Sequence, residues 1–592
     1  MKTQKRSEIE ESSKWDLSSL FATSEEWKDA LEALKQAGSQ AASFKGSIKR
    51  GKASFLKLLK WLGETNILAE RVGCWAMLNY SADASDPKNI RQYGMASQVL
   101  ASLGAALAFF DPELLSLDEE TYQAYLHDPD FQEYKVYLQK SRRFKAHVLS
   151  EGEERLMALQ SESAQTSELT FSDLTNVDMD FGTVEGKPLT QSTYSTFMQS
   201  TNRATRKEAY DKLYGIYGAH QHTLARLYEG SVKQDIFSSK VRGYASSRDA
   251  ALFPDKVDGS VYDTLVASVH AGFDSLHRFY EVKRRALGLE KLAHWDVYVP
   301  LVMQKPFHTT YDAAVETVLK AVQPLGDEYV SILGAGLTTE RWVDRYENTG
   351  KRSGAFSSGC YTSKPYILLN FTGDTLNDLF TIIHEGGHSM HSYYSKKHNP
   401  FFQYDYTIFE AEVASTTNEQ LLARYLLDHA KDKDERASII GKQLDDIVAT
   451  LFRQTMFAEF EDQAHKLAES GETLSVDVIR AIYRKLLVAY FGNQVEFSEL
   501  SDMEGLRIPH FYNAFYVYKY ATGISAAIAL SQKILEGGEK ERNDYLAFLQ
   551  SGGSRYPMES LKLAGVDMSK PDAVNAAVTH FATLLDEFEK LV

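Results

Sequence analysis

The chain has 592 residues, enough for several domains or one large helical architecture, and 43% hydrophobic against 25% charged residues leaves a sizeable core to bury. With 65 Lys and Arg against 81 Asp and Glu the net charge is −16, which repels a phosphate backbone, so no nucleic-acid partner is expected. The two cysteines, Cys74 and Cys360, belong to no C-x-x-C pair, which excludes a disulfide framework or a cysteine metal site and fits a reducing compartment.

In chain order, the opening residues lead into Glu8 and further acidic positions rather than an apolar signal core, so the expected location is cytoplasmic. Apolar spacings of three and four, at Leu31 and Leu34 and again at Leu56, Leu58, Leu59 and Leu62, predict amphipathic helices. The most apolar window, 99–110, contains Ser102 and Gly104 and stops at Asp111-Pro112; it is too short to cross a bilayer, and no membrane partner is expected. Pro112, Pro188, Pro254, Pro306 and Pro365 mark breaks between helices. Residues 177–181 alternate apolar and polar and then turn through Glu185-Gly186 toward Pro188, which predicts a small hairpin. That hairpin closes an N-terminal helical region, so the chain divides into 1–195 and 196–592. Residues 365–371 form a short run of strand formers, preceded by a glycine-rich loop at 353–359. Loop and edge strand together would let an extended peptide dock through backbone hydrogen bonds, which singles out Gly354, Tyr366 and Leu368. The fold expected is mostly α, with a small β-sheet beside one special helix.

That helix carries His384-Glu385-Gly386-Gly387-His388, an H-E-x-x-H pattern. Residues four apart lie one turn above each other, so both imidazoles can converge on one zinc ion. Glu385 projects about 100° around the axis from His384, beside the metal rather than on it, where it can hold the water that zinc acidifies. Asp374 is a good N-cap for the helix, and Lys396 and Lys397 suit its C-terminus. Leu376, Leu379, Phe380, Ile383 and Met390 give it an apolar stripe. Gly386 and Gly387 each cost a helix about 1 kcal/mol relative to alanine, which points to something approaching the backbone closely.

His391 lies roughly 10 Å along the axis from His384, too far for both to bind one ion, so its place is around the site or in the structure. The third ligand comes from another segment, and residues 410–419 hold the candidates. Glu412 is favoured, although spacing does not separate it from Glu410. Glu419, seven residues on from Glu412, shares its face and could hydrogen-bond a ligand imidazole.

The motifs at 384–391 and 412–419 resemble the oligoendopeptidase F branch of the thimet oligopeptidase superfamily. Residues 508–512, 515–523 and 240–244 and the opening Trp15-Asp16-Leu17 extend the resemblance over nearly the whole chain. It implies that His384, His388 and Glu412 bind one zinc ion and that Glu385 is the general base. It also implies a helical, clam-like fold enclosing a channel, and cleavage of oligopeptides. The family takes oxyanion donors from the C-terminal aromatic segment, which points to His510 with Tyr516 and Tyr518, both kept, while Phe511, Phe515 and Tyr520 read as core. Tyr512, in the same motif, is assigned to substrate binding. The function expected is zinc endopeptidase action on oligopeptides. The competitors are a peptidyl-dipeptidase with the same chemistry and a catalytically silent peptide-binding module.

Overall fold

The computed structural model describes residues 4–300, 302 and 307–592; Pro306, one of the expected breaks, lies outside them. Helices begin where the sequence offers caps. In helix α1 (Ser24–Gln40) the Thr23 side chain accepts from the Glu26 N–H, and Trp27, Leu31 and Leu34 form the buried face. Helix α2 (Lys52–Ala82) buries Leu58, Leu59, Leu62 and Trp75, while helix α3 (Pro87–Leu107) starts with Pro87 in its first turn behind the Asp86 cap. The three pack together, with Trp27 stacked on Trp75 at 5.4 Å and its indole N–H donating to the Val72 carbonyl.

The helical run around the apolar window is longer than the window itself. By length and composition Pro87–Leu115 could cross a membrane. In the structure α3 instead turns Gln92, Ala96, Val99 and Leu103 into the packing with α1 and α2.

The chain forms two compact units, each built from three segments. The first comprises Met1–Lys145, Pro306–Leu426 and Leu530–Val566, and the second Ala146–Lys305, Leu427–Ala529 and Asp567–Val592. Residue 195 therefore lies inside the second unit.

The first unit contains a three-stranded sheet of β1 (Val343–Asp344), β2 (Phe356–Ser358) and β3 (Tyr366–Leu368) in the order β1-β3-β2. β3 pairs parallel with β1 and antiparallel with β2, so it is the central strand, not the edge expected at 366–370. Its residues are wholly buried, and the Tyr366 hydroxyl donates to the Asp16 carbonyl. Trp15 packs against both Phe356 and Tyr366, which explains why the opening Trp15-Asp16-Leu17 matters far from its place in the chain. Tyr366 and Leu368 are thus core residues whose backbone is already paired. The two edge strands are buried β1 and half-buried β2.

In the second unit the hairpin exists, but its arms are Thr183–Val184 and Lys187–Pro188. Glu185 and Gly186 form the turn with φ of 51° and 75°, the geometry a two-residue hairpin loop demands. Residues 177–181 precede it. Leu174–Asp178 is a π-helical turn, and the alternation that suggested a strand survives only as buried Met179 and Phe181 in an unpaired lead-in.

Candidate active site

Helix α4 (Leu376–His398) is capped by Thr375, whose N–H and hydroxyl both donate to the Asp378 carboxylate. Asp374, the expected cap, instead accepts from His308. Leu379, Phe380, Ile383 and Met390 are buried as their stripe predicts, which leaves His384 and His388 half-exposed one turn apart on a neighbouring face. Helix α5 (Ile408–Asp428) crosses this face.

Gly387 explains how α5 comes so close. A Cβ there would lie 2.6 Å from the Cα of Ser415 and 2.8 Å from the carbonyl oxygen of Ala414, backbone atoms that cannot yield. At Gly386 the neighbour is the Leu333 side chain at 3.1 Å, a milder restriction. Asn418 adds a tie from α5, donating to the Ile383 carbonyl and the Tyr329 hydroxyl.

This approach gathers the donor atoms. His384 Nε2 lies 3.1 Å from His388 Nε2 and 3.5 Å from Glu412 Oε2, and His388 Nε2 lies 3.7 Å from the same oxygen. Ligands about 2.0–2.1 Å from a tetrahedral zinc would stand about 3.3 Å apart, so two imidazoles and one carboxylate fit such an ion. Among the described residues, these three form the one such cluster of potential metal ligands.

The remaining imidazole nitrogens are oriented by α5. His384 Nδ1 lies 3.0 Å from Glu419 Oε1, and His388 hydrogen-bonds the backbone of Ala411. Burial lowers the His384 proton affinity, but the hydrogen bond and charge of Glu419 outweigh it and raise the pKa to about 9. The same negative field favours a bound cation. Glu410 is turned away into the core, bonded to Thr407, and burial pushes its carboxyl up to about 7. The rotation of α5, not the sequence spacing, separates it from Glu412.

Glu385 is buried, and burial pushes its carboxyl up to about 7. The backbone N–H of Ser357 in β2 donates to it, and its Oε2 has no hydrogen-bond partner among the described residues. The Ser357 hydroxyl also meets that of Ser389 at 2.8 Å, which fastens β2 to α4. Gly354, with φ of 79°, borders a cleft of about 210 Å³ with Asn370 and Asn377, and its carbonyl accepts from the Asn370 amide. His391 stands apart from the cluster. It is fully buried and stacked on Tyr406 at 3.6 Å, and burial depresses its pKa to about 3.

The C-terminal aromatic segment belongs to the second unit. Phe515 has a left-handed φ of 60°, a conformation that costs a non-glycine residue about 1–2 kcal/mol, and its N–H donates to buried Glu461. This turn sends Phe515 inward against His465 and leaves Tyr516 half-buried, its hydroxyl hydrogen-bonded to His510 Nδ1. Tyr520, read from sequence as core, is half-buried too, with its ring 5.7 Å from Tyr516 and 6.4 Å from His510. Tyr518 is fully buried against Tyr262, so of the two tyrosines kept, only Tyr516 offers a hydroxyl near His510. Tyr512 stacks on Phe171 at 4.5 Å and borders a polar cavity of about 550 Å³.

Comparison with known proteins gives a consistent match. The profile of peptidase family M3 fits residues 196–580, and that of oligopeptidase F fits residues 113–181. The chain is 40% identical over 586 residues to an oligoendopeptidase F homolog of Borreliella burgdorferi, covering 99% of both chains. It is 39% identical to the oligopeptidase PepF of Bacillus subtilis, covering 99% of this chain and 88% of that one. A crystal structure of oligoendopeptidase-F from Enterococcus faecium superimposes with a TM-score of 0.73 at 32% identity, over 96% of this chain and 99% of that one.

Proposed function

The chain belongs to peptidase family M3 and is a metallo-oligopeptidase, and from that premise we propose that it is a zinc endopeptidase cutting internal bonds of oligopeptides. The observation that carries this reading is the convergence of His384 Nε2, His388 Nε2 and Glu412 Oε2 beside a buried carboxyl with one unpaired oxygen. His384, His388 and Glu412 would hold one zinc ion, which supplies an acidified water and polarises the scissile carbonyl. Glu385 accepts the proton of the attacking water and returns it to the leaving amine. Its raised proton affinity matches that task, since a base near neutral pKa can both take and give a proton. Glu419 and the Ala411 backbone fix the two imidazoles.

The substrate backbone pairs along the open side of β2, with Gly354 at its approach. His510 and Tyr516 donate to the oxyanion, and Tyr512 contacts substrate. The enzyme acts in the cytoplasm, in peptide turnover. The family match starting at residue 196 supports a sequence-level boundary near 195.

The test is a length series of one peptide sequence, with free and amidated C-termini, read by mass spectrometry with and without a chelator. Internal cleavage of short amidated peptides, abolished by chelation, is expected. Loss of cleavage on amidation would favour a peptidyl-dipeptidase, and equal rates up to a denatured full-length protein would overturn the restriction to oligopeptides. No turnover with metal bound would leave a silent binding module.

A further inference from the structure

Two unusual features of the second unit meet at one hydrogen bond. Phe515 takes a left-handed φ of 60°, a conformation that non-glycine residues rarely adopt. Glu461, on helix α6 (Arg453–Glu469), is a fully buried carboxyl. The Phe515 N–H donates to Glu461 Oε1 at 3.2 Å, and Oε2 has no hydrogen-bond partner among the described residues. A buried carboxyl with a single bond costs more than an apolar residue of the same size, so that bond is the place to look for its use.

The surroundings fix both ends of the bond. His465, one turn along α6, donates from Nδ1 to the Glu461 carbonyl and packs on the Phe515 ring at 4.6 Å. Tyr262 lies edge-on to the same ring at 6.2 Å, and its hydroxyl donates to the Ala458 carbonyl on α6. Phe515 stands between the helical turn Pro509–Tyr512, which bears His510, and the helix that starts at Tyr518. The next residue after it is Tyr516, whose hydroxyl returns to His510 Nδ1.

We propose that Glu461 is a positioning residue for the reaction: its carboxyl holds the Phe515 turn and so sets the Tyr516 hydroxyl beside His510. The proposal rests on the reading of those two groups as oxyanion donors. Glu461 acts on them through the backbone of Phe515, not as a donor itself. Burial, with Asp235 and Asp462 nearby, pushes its carboxyl well above the ordinary pKa, against the pull of the Phe515 N–H. The neutral form this favours still offers an acceptor oxygen, so glutamine is its nearest mimic.

Without an acceptor, the buried Phe515 N–H is left unsatisfied and the strained φ has less to hold it. Tyr516 then moves with the turn. An oxyanion donor works within about 2.7–3.1 Å of its oxygen, and that charge develops only in the transition state. Misplacement therefore lowers kcat while leaving KM largely alone.

The experiment measures kcat, KM and zinc content of the zinc-loaded full chain on an internally quenched oligopeptide. Glu461→Met removes the acceptor at similar length. Its kcat should fall about ten- to a hundredfold, with KM within about twofold and zinc content unchanged. Glu461→Gln keeps the acceptor and should stay within about threefold of wild type. Glu461→Met combined with Tyr516→Phe should be no more than about threefold worse than Tyr516→Phe alone, because the same contact is already lost. Wild-type kcat in Glu461→Met beside an impaired Tyr516→Phe would overturn the proposal alone. Wild-type kcat in Tyr516→Phe would overturn the oxyanion reading and the proposal with it. Equal losses in Glu461→Gln and Glu461→Met, a change confined to KM, or additive losses in the double variant would each reduce Glu461 to a structural residue and overturn the proposal. Where Glu461→Met does not fold, Glu461→Asp decides. It removes one methylene, draws the oxygen back from Phe515 and should lower kcat in the same way, whereas wild-type kcat would overturn the proposal.

Discussion

Gly387 and Ser415 are in backbone contact: a Cβ on the glycine would fall 2.6 Å from the serine Cα. That contact brings Glu412, three residues before Ser415, to the two histidines that flank Gly387 in α4. Alanine at 387 would favour the isolated helix by about 1 kcal/mol yet force α4 and α5 apart. Gly387→Ala is therefore expected to weaken metal affinity about ten- to a hundredfold, the range for losing support around a metal site. Chelator titration followed by metal analysis measures it, and wild-type affinity would show that the helices can slide at no cost.

Glu385→Gln keeps the shape of the site and adds no charge. It should retain the metal while turnover falls at least about a hundredfold. Metal content and kcat measured on the same preparation decide the matter, because normal kcat with full metal would remove Glu385 from the role of base.

Glu412→Ala should empty the site of metal, whereas Glu410→Gln should leave it filled, since Glu410 faces Thr407 in the core. The opposite order of zinc occupancy would reverse the assignment.

The two tyrosines kept by the sequence motif should now behave differently. Tyr516→Phe removes the hydroxyl bonded to His510, and turnover should fall roughly ten- to a thousandfold, as for loss of one oxyanion donor. Tyr518→Phe changes a fully buried ring against Tyr262 and should leave kcat near wild type. Equal losses in both variants would mean that the segment acts only through packing.

Glu70 on α2 gives a stability prediction. Its Oε2 accepts from the Tyr361 N–H and the Tyr404 hydroxyl, yet burial raises its pKa from 4.5 to about 7. Between those values the unfolded chain has released the proton that the folded chain still holds, so this group's contribution to stability falls as pH rises from about 4.5 to about 7 and then levels off. Glu70→Gln cannot ionise. Its Tm relative to wild type should therefore be higher at pH 8 than at pH 5, and an equal difference at both would show that Glu70 ionises normally in the fold.

Much of the site was legible without a structure because helical periodicity is local. The four-residue spacing of His384 and His388 fixes their common face, the apolar stripe fixes which side of α4 is buried, and two glycines between the two histidines announce a close neighbour. The sequence did not say that the neighbour is the backbone of α5, nor that its rotation turns Glu412 outward and Glu410 into the core. Residues 366–370 read as a strand from their composition, but whether a strand is central or at an edge depends on partners at 343–344 and 356–358. Tyr516 and Tyr518 differ by the backbone turn at Phe515, a strained conformation that Glu461, distant in the chain, helps to hold. Cys74 and Cys360 show the same limit, looking unrelated along the chain yet sharing one core cluster in the fold. Residue type and period determine what a segment can become and which face it buries. Which segment it meets is decided by packing between parts remote in sequence, where shape and hydrogen-bond satisfaction select one pairing that no local pattern contains.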